Sequence, residues 1–132
     1  MLRAHRAIGW LTFAIFLASG FYLHFHAAEL AREDRAVHFT LRANHIYILM
    51  SALVNLALAM ASVVPSTSWR RQLRAAGRVM AMLAPAALVA ALLREGAHPA
   101  VHLMDRPLTM VGVFALVIGT LAAVAGTTPS RS

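Results

Sequence analysis

Long apolar blocks separated by short polar stretches organise this chain. The first block runs from Ala7 to Leu23 and takes in Phe25. The second runs from Ile46 to Val64 and stops at Pro65; the third runs from Val79 to Leu93; the fourth runs from Leu108 to Thr128 and stops at Pro129. A membrane-crossing helix needs about 20 predominantly apolar residues, with a range of roughly 17–25. The first, second and fourth blocks meet that length directly. The third meets it when counted back to Leu73, which takes in Arg74 and Arg78, whose long stems can snorkel to the interface. The pattern predicts a single integral membrane domain over residues 1–132, with spans at approximately 7–25, 42–64, 73–95 and 107–128. Pro85 falls inside the third span, where it must kink the helix or leave a carbonyl for a neighbour to satisfy. Short connections imply antiparallel neighbours. The expected fold is therefore all-α, a four-transmembrane-helix antiparallel up-down bundle in which spans one and two pair and spans three and four pair.

Composition supports lipid as the solvent. Of 132 residues, 60% are hydrophobic and only 13% are charged, against roughly a quarter charged in a soluble domain. A chain this short cannot bury so much apolar surface in one aqueous core. The first block is read as a span rather than a cleaved signal peptide, because it is longer than a signal's apolar centre and ends in Phe21-Tyr22-Leu23-His24-Phe25-His26. With no cysteine, thiolate metal sites, Fe–S clusters and covalent haem attachment are excluded.

All twelve basic residues are arginine, and their distribution sets an orientation. Arg3, Arg6, Arg70, Arg71, Arg74, Arg78 and Arg131 lie on one side with no acid among them. Arg32, Arg35, Arg42, Arg94 and Arg106 share the other side with all the acids, Glu29, Glu33, Asp34, Glu95 and Asp105. The positive-inside rule puts both termini in the cytoplasm of a bacterial-type inner membrane. The sequence pI near 11.7 does not signal nucleic-acid binding, since the arginines sit at span ends and no basic stretch carries interleaved aromatics. Trp10 and Trp69 mark the inner interface, Tyr22 and Tyr47 the outer.

Two patterns lie within the spans. Asn44, Ser51, Asn55 and Ser62 recur at intervals of seven, four and seven on one helical stripe, which predicts hydrogen bonding between helices; a polar cavity or quinone pocket is the other reading. Gly112, Gly119 and Gly126 recur at strict sevens and form a smooth seam for a neighbouring helix or a second protomer.

Titratable chemistry gathers on the outer side, where His24, His26, His38, His45, His98 and His102 join the acids; only His5 is on the other side. His38, Arg42 and His45 fall at i, i+4 and i+7, one helical face. The ends of the spans present His24, His45, Glu95 and His102 in one layer. Imidazole and carboxylate together suit a divalent transition metal, with His24, His26, His38, His45, His98, His102 and Asp105 as candidate ligands. A b-type haem between helices is the second possibility, with axial ligands from His24, His45 or His102 and Arg42, Arg94 or Arg106 on the propionates. The third is that these side chains stabilise helix ends at the interface.

His5-Arg6-Ala7-Ile8-Gly9-Trp10, followed by an apolar run and Ser19-Gly20, resembles the first helix of PepSY-type and related haem-binding membrane proteins. The resemblance stops at Gly20, and no family is assigned on it. No nucleophile elbow, phosphate-binding loop or paired carboxylate motif is present, so an enzyme is not expected. The expected function is a small polytopic bundle whose outer cluster binds b-type haem or a metal ion. A structural or accessory subunit without a cofactor, and a small transporter or channel, are the alternatives. Expected partners are the lipid bilayer and a homo-oligomer or larger membrane complex, with no nucleic acid. A reporter fused after Ser132 is expected to be active only when its active state is cytoplasmic; periplasmic activity would reverse every side assignment.

Overall fold

A computed structural model describes residues 1–33, 35–61, 67–95 and 105–127, with the side chains of residues 27–33 left out. Its helices are α1 (Leu2–Glu33), α2 (Arg35–Met60), α3 (Ser68–Arg94) and α4 (Pro107–Ala125). All four are long and apolar enough to cross a membrane. They pack as an antiparallel bundle. α1 lies against α2, α2 against α3, and α3 against α4, with smaller contacts of α2 with α4 and of α1 with α3. Among the described residues α4 does not touch α1, so the bundle is open along that edge.

The pairing of α3 with α4 rests on small residues. A Cβ built on Gly77 would stand 2.5 Å from both the Ala123 amide nitrogen and the Gly119 carbonyl oxygen. A Cβ on Gly119 would stand 2.8 Å from the Gly77 carbonyl oxygen and the Ala81 amide nitrogen. These obstacles are backbone atoms, which cannot rotate aside. Gly112 receives Leu88 and Gly126 receives Arg74 in the same seam. The partner of the α4 glycine stripe is thus α3 of the same chain. Between apolar helices in lipid, such close approach supplies the dispersion contact that a hydrophobic driving force does not.

α3 continues through Pro85 without interruption. A proline at position 85 has no amide hydrogen to give the carbonyl four residues earlier, that of Ala81. Asn55 of α2 fills the gap: its Nδ2 donates to Ala81 O at 2.9 Å and to Ser51 O at 2.9 Å. Both amide hydrogens are then in use, so Asn55 Oδ1 faces His5 Nδ1, 2.8 Å away. An oxygen accepts, so the His5 proton is on Nδ1. Asn55 and His5 are both completely buried. One proline thereby orders a chain of hydrogen bonds through α3, α2 and α1.

Arg74 and Arg78 do not snorkel outward as their place in the third span suggested. Both are buried, at 8% and 6% exposure. Arg78 Nη2 donates to Leu58 O at 3.0 Å and to Ala61 O at 2.7 Å, and Arg74 Nη2 donates to Ala61 O at 2.8 Å. The last carbonyls of a helix have no partner within it, and the helix dipole favours a cation there. The two arginines of α3 therefore cap the C-terminus of α2.

Two outcomes test this packing. Gly119→Ile should destabilise the protein by about 2 kcal/mol or more, read by thermal unfolding in detergent, whereas Val117→Ile on the exposed face of α4 should change little. Asn55→Leu should be costly in the native chain but less so once Pro85→Ala restores the missing amide. The double-mutant cycle should return a coupling on the order of 1 kcal/mol, and strict additivity would disprove the link between Pro85 and Asn55.

Candidate functional site

The end of the bundle opposite the chain's N-terminus holds two separate groups of polar side chains. The first joins α3, α4 and α2. Glu95, at the C-terminal cap of α3, is buried. Its Oε1 accepts from Leu108 N at 2.5 Å, and its Oε2 accepts from Thr109 N at 3.0 Å. Pro107 occupies the first turn of α4 and brings no amide to satisfy. Glu95 thus does for α4 what an N-cap side chain does, with a full negative charge on the positive end of the dipole.

The Thr109 hydroxyl lies 2.6 Å from Glu95 Oε2 and 3.0 Å from Asn44 Oδ1. It has one proton, and the closer, charged carboxylate takes it. Arg106 Nη2 donates to Asn44 Oδ1 at 2.5 Å and to the Thr109 oxygen at 3.3 Å. Asn44, Thr109, Glu95 and Arg106 are all buried. Arg106, expected to be available to a haem propionate, is committed here instead. Glu95, expected in one layer with the histidines, is committed to α4.

The second group lies between α1 and α2. His24, His38, Arg42 and His45 line one hollow of about 230 Å³, together with Gly20 and Leu23. Gly20, His24 and His45 also line an adjoining hollow of about 520 Å³, whose other walls are Phe16, Leu17, Phe21 and Phe25. Both are open grooves rather than sealed cavities. The i, i+4, i+7 face of α2 read from the sequence therefore does present His38, Arg42 and His45 together.

Local packing sets the orientation of His45. Its ring stacks on Phe16 with centroids 4.2 Å apart, and Nδ1 lies 2.9 Å from Ser19 Oγ. Ser19 Oγ donates to Phe16 O at 3.0 Å. The serine proton is spent on that carbonyl, so both contacts are satisfied when His45 Nδ1–H donates to the hydroxyl oxygen. Nε2 is then the unprotonated nitrogen. Gly20 makes room for this ring: a Cβ there would fall 2.9 Å from His45 Cε1. Arg42 is exposed at the rim of the smaller hollow.

The other candidates divide. His26 is exposed, stacks on Tyr22 at 4.4 Å and donates from Nδ1 to Tyr22 O at 3.0 Å, so it turns back on its own helix. Asp105 is exposed ahead of α4. His98 and His102 lie outside the described residues, as do Asp34 and the side chains of Glu29 and Glu33. Among the described residues no group of three histidines, aspartates or glutamates is close enough to share a metal ion.

The deepest histidine of those described is His5, at the opposite end. Residues 5, 9, 12 and 23 of α1 are buried, the spacing of a stripe that packs on a neighbour. A lone histidine beside the N-terminus carries no sign in the sequence that an asparagine fifty residues away needs it. Comparison of the chain with protein-family models, curated proteins and solved structures finds no match in any of the three.

Proposed function

We propose that this small multi-pass membrane protein is a binding module, and that the α1–α2 groove holds an amphiphilic, acid-bearing cofactor of the b-type haem class. The observation that carries the reading is the shared wall of the two hollows. One compartment offers His38 and Arg42, the other three phenylalanines, and His24 and His45 belong to both. A flat apolar ring system suits the aromatic compartment, and carboxylates suit the guanidinium. The larger hollow, at about 520 Å³, is within the range of cofactor sites.

His45 is the residue that would hold the group. Ser19 fixes its Nδ1, and this is how an outer partner sets the tautomer of a coordinating histidine. His24, one turn from Gly20, is the proposed second ligand or its replacement. Haem would supply redox chemistry there; the chain's own residues would bind and orient it. The proposed setting is a bacterial-type inner membrane with both termini in the cytoplasm and the groove toward the periplasmic side. The arginine asymmetry supports that orientation.

An accessory-subunit role is the second reading. It is favoured by the exposed aromatic and aliphatic face of α1, which includes Trp10, Leu11 and Leu17.

The test is reconstitution of purified protein with haemin, followed by absorption spectroscopy. A Soret band shifted from that of free haemin in the same detergent is the expected result. His45→Ala should weaken binding by more than about tenfold, and Arg42→Gln by about threefold, as for a half-solvated ion pair. A spectrum identical to free haemin would leave the accessory-subunit reading.

A further inference from the structure

The arginine end of the bundle has a charge imbalance that no side chain among the described residues resolves. Arg74 and Arg78 are more than nine-tenths buried, and arginine stays protonated in any such setting. Their Nη2 atoms donate to backbone carbonyls of α2, yet both Nε donors are buried with no partner among the described residues. Carbonyls satisfy hydrogen bonds but bring no full negative charge.

Helix dipoles do not supply it either. Each helix terminus is equivalent to roughly half an elementary charge. The C-termini of α2 and of α4, the latter at Gly126 beside Arg74, favour the two cations locally, but two half-charges do not balance two guanidiniums. The acids of the sequence are Glu29, Glu33, Asp34, Glu95 and Asp105, all in or beside the connections at the opposite end. Buried charges are ordinarily paired.

We propose that the arginine end binds a phosphate-type anion, held by the guanidiniums of Arg74 and Arg78 where α2 ends beside α3. The shared chemistry is a tetrahedral oxyanion, and either an anionic lipid headgroup or free phosphate supplies it. The site is independent of the histidine groove, from which α2 separates it by most of its length.

The experiment uses full-length protein in nanodiscs of pure phosphatidylcholine and in nanodiscs containing phosphatidylglycerol. Unfolding temperature and lipids retained in native mass spectrometry are the readouts. With the lipid source, phosphatidylglycerol is retained about tenfold or more in preference to phosphatidylcholine, and it raises the unfolding temperature while inorganic phosphate does not. With the free source, inorganic phosphate raises the unfolding temperature in pure phosphatidylcholine. Either result supports the site. No preference and no stabilisation by either probe overturns it.

Arg74→Gln or Arg78→Gln should abolish the effect, whereas Arg6→Gln and Arg71→Gln, exposed on the same side, should preserve it. Equal loss in both pairs means a diffuse surface charge and also overturns the site. The wild-type titrations need no variant, so a variant that fails to fold leaves the decision to them.

Discussion

The carbonyl of Ala81 is the constraint on which the rest of the bundle depends. Pro85 strips it of its helical partner at the midpoint of α3, and lipid offers nothing to replace that bond. An unsatisfied backbone group in hydrocarbon costs several kcal/mol. The cure has to come from another helix, and Asn55 brings it. Asparagine has two amide hydrogens, and its second goes to Ser51 O in its own helix. The remaining oxygen dictates where the His5 proton lies. A single missing amide thus fixes the depth of α2 against α3 and of α1 against α2. An apolar interface alone would let these helices slide.

The helix ends follow the same logic with charge added. α2 ends beside α3, and arginines from α3 take its last carbonyls. α4 begins beside the end of α3, and Glu95 takes its first free amides. Each cap comes from the neighbouring helix, and each has the sign the dipole favours. Capping between helices does two tasks at once, since the bond that completes one helix also docks it on the next.

Much of the fold could be read from the sequence because lipid simplifies the code. Block length gave the helices, and short connections gave antiparallel pairs. The stripe Asn44, Ser51, Asn55 and Ser62 predicts hydrogen bonding between helices; the first three are buried, Asn44 and Asn55 bond to other helices, and Ser62 lies outside the described residues. Pro85 was read as freeing a carbonyl, but its rescuer could not be named, because helix-to-helix register is not a local property. The same limit explains Arg74, Arg78 and Arg106. Position within a span suggested snorkelling or a free cation, whereas the neighbouring helix supplied acceptors that no single-helix reading contains. The histidines illustrate the converse. The spacing of His38, Arg42 and His45 placed them on one face, yet whether that face met His24 depended on Gly20, whose missing side chain lets His45 settle against α1.

What remains after the structural demands are met indicates where ligand chemistry has room. Asn44, Asn55, Thr109, Glu95 and Arg106 are buried, and the hydrogen bonds they make hold helices together. His24 and Arg42 are exposed, His38 is half-buried, and all three border an open hollow. The difference follows from the topology. α1 packs chiefly on α2, and no contact with α4 closes the ring of helices among the described residues. A closed bundle would have filled the α1–α2 groove from the far side or sealed it from the bilayer. The groove is open at the surface of the bundle, so the proposed ligand would enter it without any helix parting from its partner. Rigid polar bonding on the α2–α3–α4 side and an accessible groove on the α1 side are thus two consequences of one arrangement: the polar anchors hold the register, and α1, attached to a single neighbour along most of its length, leaves the space.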